Sequence, residues 1–260
     1  MANIINWFKR LLGLAISLFV GFEIYDRLIK SIFDAGGTRI VPFLILWVVT
    51  AYVVLPRIHR ALTKLYVPDY FIGRVKTSDG LLGDPVNLAV IGTKRQLIST
   101  MKTDGWHIAD PITIKTSWRM VLSTLLKKSY PTAPVSSLFL FGEKQDIAFQ
   151  KEVNSNPHAR HHVRFWKSPT GWRLPGGYKV DWLGAATYDK SVGFSLFTWQ
   201  FTHKIAENTD EERDYVIKSM RGRGKINKLQ YFSTAYHCRN GGGDSIKTDG
   251  TFTIADITKS

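Results

Sequence analysis

The chain has 260 residues, enough for one globular domain with added elements and tight for two. Apolar residues make up 44%, which excludes a disordered chain, and a formal charge of +14 selects for an anionic partner: a lipid surface, a phosphorylated ligand or a nucleic acid. The single cysteine, Cys238, excludes an internal disulfide, and a free thiol suits a reducing compartment.

Residues 1–70 differ in kind from the rest. Leu11 to Phe22 is an uncharged run, preceded by Trp7, Lys9 and Arg10 and followed by Glu23. Ile40 to Leu55 is a second, with Arg39 before it and Arg57 and Arg60 after it. Each falls short of the ~20 residues that cross a bilayer comfortably, but flanking Lys and Arg can snorkel, and Trp7 and Trp47 suit an interface. Asp34-Ala35-Gly36-Gly37-Thr38 breaks the pattern between them. A membrane-anchoring helical hairpin over residues 1–65 is therefore expected in preference to a buried hairpin. A cleaved signal peptide is disfavoured, because Glu23, Tyr25 and Asp26 stand where small residues would be needed. Lys9 and Arg10 before the pair, and Arg57, Arg60 and Lys64 after it, outweigh Arg27, Lys30 and Arg39 in the loop. That bias places the chain in the cell membrane with both ends, and so the globular domain, in the cytoplasm.

A connector over 66–82, punctuated by Pro68, Gly73 and Gly80, leads into the domain. Val86 to Gly92 reads as a buried strand. Thr93 to Asp104 reads as a helix with Thr93 as N-cap, stopped by Gly105. One glycine without a phosphate-loop pattern gives no nucleotide site here. Thr116 to Lys128 reads as a second helix whose stripe of Trp118, Val121, Leu122 and Leu125 is assigned to the core. Tyr130-Pro131-Thr132-Ala133-Pro134 is an extended link. Thr209 to Met220 gives a third helix, with Thr209 and Glu212 at capping-box spacing and acids in its first turn. A last β portion covers Leu229–Tyr236 and Thr251–Ile257. The fold class is α+β: a mixed sheet packed with about three helices.

Strand candidates crowd residues 137–205. In His161-His162-Val163-Arg164-Phe165-Trp166, alternation sends His161, Val163 and Phe165 to a core face and His162, Arg164 and Trp166 to a polar-aromatic one. Arg164, with its fork of donors, and Trp166, with its flat wall, suit an anion. Asp181, Leu183, Ala185, Thr187 and Asp189 share a face of a later strand, and Phe201, His203 and Ile205 one of the next. Lys218 to Lys228 is a basic turn in which Arg221, Arg223 and Lys225 would attract anionic lipid.

Gly83-Asp84-Pro85-Val86-Asn87, Gly105-Trp106, Ala109-Asp110-Pro111, Tyr130 to Ser136, Leu140-Phe141-Gly142, Gln145-Asp146, Ala148-Phe149-Gln150, Arg160 to Trp166, Gly184 to Asp189, Thr202-His203 and Glu212-Arg213-Asp214-Tyr215 stand in one order. Together they resemble the LssY C-terminal domain family over residues 83–217, with 218–260 left as a basic turn and C-terminal β portion. The resemblance implies a domain without an assigned activity, often attached to membrane-spanning partners. Some relatives carry a membrane phosphatase whose Pro-Ser-Gly-His element this chain lacks, so that activity is not carried over.

Two functions stand side by side, and whether the chain is an enzyme stays open. The first is a binding or accessory module at the membrane surface, in which Arg164, Trp166, Arg221, Arg223 and Lys225 hold an anionic ligand, a lipid head group or a protein partner. The second is a hydrolase of a phosphoester or envelope-linked substrate, with His161, His162, Asp189 and His203 as acid/base groups. No cofactor is expected; a divalent metal enters only with the second reading. Membrane lipid and a membrane protein are the expected partners. Nucleic acid is disfavoured, because no recognised nucleic-acid-binding motif is present.

Overall fold

The computed structural model describes residues 40–66, 73–126, 128–153, 156–174, 176–197, 199–220, 225–230 and 236–258, with short runs between 19 and 31. The first apolar run, Leu11 to Phe22, and the breaker at 34–38 therefore lie mostly outside the described residues. The chain divides into two compact units, Met1–Ala61 and Leu62–Ser260.

Helix α1 (Ile40–Val49) continues through a π-helical stretch (Thr50–Val54) into α2 (Leu55–Tyr66). Proline inside a helix lacks an N–H and clashes with the carbonyl four residues back. The wider turn ahead of Pro56 relieves this: Leu55 N–H donates to Thr50 O, one residue further back than in an α-helix. The apolar helix thus does not end at Leu55. It runs Ile40–Leu62, 23 residues, which is long and apolar enough to cross a membrane. Ile40, Val41, Phe43, Leu44, Ile45 and Val48 are all exposed.

The second unit is α+β and has three layers. Its centre is an eight-stranded sheet in the order β11 (Lys225–Gln230), β14 (Thr251–Asp256), β3 (Leu88–Ile91), β9 (Trp182–Phe194), β8 (Asn156–Lys167), β7 (Ile147–Val153), β4 (His107–Ile108), with β10 (Phe201–Ile205) also paired to β9. β14 runs parallel to β3; the other pairings described in this sheet are antiparallel. β14, from the C-terminal β portion, is thus built into the sheet between β11 and β3. A smaller sheet orders β2 (Leu82–Pro85), β1 (Arg74–Thr77), β5 (Leu138–Leu140) and β6 (Glu143–Lys144), and β12 (Tyr236–Arg239) pairs with β13 (Ser245–Thr248).

Helices α3 (Lys94–Thr103) and α5 (Thr209–Met220) cover one face of the central sheet. Leu97, Met101, Val216, Ile217 and Met220 pack there with Phe149, Val163, Phe165 and Trp106. Thr93 caps α3 through a reciprocal box with Gln96, as its sequence implies. The smaller sheet covers part of the other face, where Val75, Leu138 and Leu140 meet Trp166, Leu183, Ala185 and Ile254. Helix α4 (Ile114–Leu125) departs from the sequence expectation. Trp118 and Leu122 are exposed rather than core, because the core clusters are filled by strand residues and by α3 and α5.

Gly184 marks the closest approach within the sheet. A Cβ there would lie 2.5 Å from Leu88 Cδ1 and 2.9 Å from Phe165 Cε1, both buried. Gly184→Ala should therefore cost about 1–3 kcal/mol through overpacking. Thermal unfolding of the full chain in detergent, followed by circular dichroism, should show a midpoint lowered by several degrees.

Candidate functional site

β8 carries two chemistries on its two faces, and its period of two separates them. On the helix-covered face, Val163 and Phe165 are core. His161 sits at the end of that row, where Glu212 Oε2 lies 2.7 Å from its Nδ1 and the Tyr215 ring stacks on it at 3.9 Å. Glu212 is buried, and burial raises its carboxyl above the ordinary carboxylate value against the pull of His161. Glu212 is thus turned to His161, and Asn208 Oδ1 accepts from Asp210 N–H at the start of α5.

The opposite face runs from apolar to ionic along the strand. Trp166 lies under the smaller sheet and is buried with Leu183 and Ala185. Arg164, His162 and Arg160 follow, each buried. Pairing with β9 sets Arg164 against Ala185, His162 against Thr187 and Arg160 against Asp189. Pairing with β7 sets Gln150 against His162. β10 adds His203 across from β9.

These side chains form one network. Arg160 donates to Gln150 Oε1 at 3.1 Å, to Asp189 Oδ2 at 3.4 Å and to His203 Nε2 at 2.8 Å. A guanidinium offers only donors, so the His203 nitrogen it meets is the accepting one. Arg164 donates to Asp84 Oδ2 at 3.2 Å, to Ser136 O and to Ser136 Oγ. His162 Nε2 lies 2.6 Å from Thr187 Oγ1, while its Nδ1 faces Asp189 Oδ1 at 3.4 Å and makes no hydrogen bond. Gln150 donates to Ala133 O, which fastens the proline-rich link over the site.

Electrostatics follow the same geometry. Burial alone would raise the Asp189 carboxyl, but His162, then His203 and Arg160, outweigh it and hold the group far below the usual carboxylate range. Burial pulls the Arg164 guanidinium below its ordinary value; Asp84 and Asp189 oppose that pull and Arg160 adds to it.

A cavity of about 310 Å³ opens on this network. Arg160, His162, Arg164, Asp84, Asp189 and His203 form its ionic wall. Ile112, Met120, Val135, Leu138 and Ile205 form an apolar one, and the turn Asn240-Gly241-Gly242 closes a side. Asn240 Oδ1 accepts from the N–H groups of Gly242 and Asp244, which holds that turn in shape.

Of the expected catalytic set, His162, Asp189 and His203 converge and His161 lies on the other face of the sheet. Of the expected anion-binding set, Arg164 lines the cavity and Trp166 is packed in the core. Arg221 and Arg223 lie outside the described residues; Lys225 opens β11, and its side chain is outside them too. Arg160, Asp84, Gln150 and Thr187 complete the network without having been singled out for chemistry. Arg160 was findable, because it shares its strand face with His162 and Arg164. Asp84 was not, because its partner is 80 positions away. Among the described residues no group of three or more His, Cys, Asp or Glu is placed to hold a metal ion. Two guanidinium groups inside the cluster would also repel a cation.

The sign of the Asp189 shift fixes its pH behaviour. Its folded pKa is below the unfolded value near 3.9, so its stabilisation is full above about pH 4 and is withdrawn as pH falls toward the depressed pKa. Asp189→Asn should remove that acid-limb dependence and, by leaving Arg160 buried without its counter-charge, cost about 3–5 kcal/mol at neutral pH. Urea midpoints measured from pH 3 to pH 7 check both.

A family model described as LssY C-terminus matches residues 64–252. The match takes in every cavity residue named above and extends beyond 83–217 on both sides. No curated protein matches the chain, and no solved structure does.

Proposed function

This chain belongs to the LssY C-terminus family, and on that footing we propose that it is a membrane-anchored binding module whose cavity holds the anionic group of a ligand. One observation carries the reading: two guanidinium and two imidazole side chains converge on a single cavity. Both arginines are already neutralised in part, by Asp84 and Asp189, so the site is prepared for one phosphate or carboxylate rather than for a polyanion. The apolar wall opposite takes the rest of a ligand that is itself part apolar.

The anchor we propose is a hairpin of two membrane segments, the run from Leu11 to Phe22 and the helix Ile40–Leu62, with the domain in the cytoplasm on the bias of flanking Lys and Arg. A lipid head group is then the anion nearest to hand. A protein partner bearing a carboxylate would use the same donors.

A second reading, hydrolysis of a phosphoester, is favoured by the chain Thr187 Oγ1, His162, Asp189 and by His203 beside it. A carboxylate held ionised beside an imidazole orients it for proton transfer. Against that reading, Thr187 is fully buried, which denies it the reach of a nucleophile.

The test is calorimetric titration of the full chain in detergent with inorganic phosphate and with dihexanoyl phosphatidic acid. The Asp84→Asn/Arg164→Gln double variant removes one ion pair together, so no charge is stranded, and should weaken binding about tenfold or more. A wild-type chain that binds neither compound at millimolar concentration sinks the binding reading. Release of p-nitrophenol from p-nitrophenyl phosphate by the wild type, lost in His162→Gln, would move the assignment to the hydrolase.

A further inference from the structure

Two exposed apolar elements border the cavity mouth. On α4, Ile114, Trp118 and Leu122 recur every four residues, and Leu126 just beyond the helix continues the row; Ile114 is 93% and Trp118 64% exposed. The flank of the same helix faces inward, where Ser117 and Met120 line the cavity. The second element is the turn between β9 and β10. Leu196 is 61%, Phe197 40% and Trp199 52% exposed, and Trp199 holds a left-handed backbone at φ 56°. A bulky side chain in that region is uncommon and carries a strain cost. Leu196 N–H donates to Gly242 O, so this turn rests on the loop that closes the cavity.

Clustered exposed aromatics mark a surface that something covers. The charge pattern says what. Between Asp110 and Glu143 the chain carries Lys115, Arg119, Lys127 and Lys128 and no acidic residue. Lys115, Arg119 and Lys128 are exposed, as is Lys190 on β9. An exposed helix face on which Trp and aliphatic side chains are bordered by basic residues, here Lys115 and Arg119, is the pattern of segments that lie in a membrane interface. A second copy of this chain would bring another +14 to the same place, which electrostatics oppose. The chain also carries its own helix fit to cross a bilayer.

We propose that α4 and the β9–β10 turn dock this domain on a bilayer of anionic phospholipid, with the cavity mouth turned to the lipid surface. The head-group phosphate is then reached without extracting the lipid: Arg160, Arg164 and the imidazoles meet the phosphate while the acyl chains stay with the membrane. This use of the cavity rests on the anion-binding reading above; the docking surface does not. It also relocates membrane contact from the basic turn at 218–228 to elements on the opposite side of α5 in the chain order, in residues 114–126 and 194–201.

The experiment uses the full chain in nanodiscs, with Cys238→Ser and one new cysteine carrying a nitroxide label. Ile114→Cys and Phe197→Cys report the two elements, and Arg95→Cys, exposed on α3, is the control. Accessibility to oxygen against a water-soluble nickel chelate is read in discs of phosphatidylcholine with and without phosphatidic acid. The expected result is that both test positions favour oxygen in the phosphatidic acid discs while the control favours nickel, and that the oxygen preference falls in Lys115→Gln/Arg119→Gln. Test positions as open to nickel as the control would overturn the docking. So would protection from both reagents, which means burial against protein. Dihexanoyl phosphatidic acid titration separates the two claims. Inserted labels without binding leave the docking standing and remove the anion site; binding without inserted labels does the reverse.

Discussion

A carboxylate and a guanidinium buried side by side bear a desolvation cost that their attraction offsets best when the remaining donors and acceptors are also met. Gln150, His162 and His203, drawn with the pair from four strands, surround Asp189 and Arg160 and meet most of those groups, leaving Arg160 Nε and His162 Nδ1 without a hydrogen bond. The arrangement exists because β7, β8, β9 and β10 are neighbours in register. A shift of one residue in any of them would send its member of the network to the helix-covered face. Register of the central sheet and integrity of the cavity are therefore one property, and the apolar rows on the reverse face, Phe149, Val163, Phe165 and Ala186, enforce it.

The same alternation explains what could be read in the sequence. His161 and His162 are adjacent, and the period of two sends one to Glu212 and the other to Asp189. Helices α3 and α5, the strand character of residues 138–205 and the faces of β8 and β9 were all legible, because each rests on spacing within a short segment. His161 does not join His162, Asp189 and His203, because the face it occupies, and not its residue type, decides its neighbours. Trp166 lies on the face expected of it, but the smaller sheet covers that end of the strand, and β1, β2 and β5 come from far away in sequence.

Helix α4 shows where periodicity misleads. Its apolar row is genuine, yet a row of Ile, Trp and Leu reports only that some apolar surface is wanted, not that the protein's own core supplies it. Two core clusters already complete without it left the row facing outward. The position of Asp84 was equally out of reach, because a contact between residues 84 and 164 is a product of the whole topology.

The parallel pairing of β14 with β3 has a consequence for how the molecule is made. Leu88 pairs with Thr253, so one side of β3 stays unpaired until the last described strand has left the ribosome. Until then β3 offers a bare edge, and such edges recruit other chains. High separation between partners also slows folding. Synthesis of this domain thus passes through a vulnerable interval that begins early and closes late, and the demand for protection by chaperones is set by the placement of one strand.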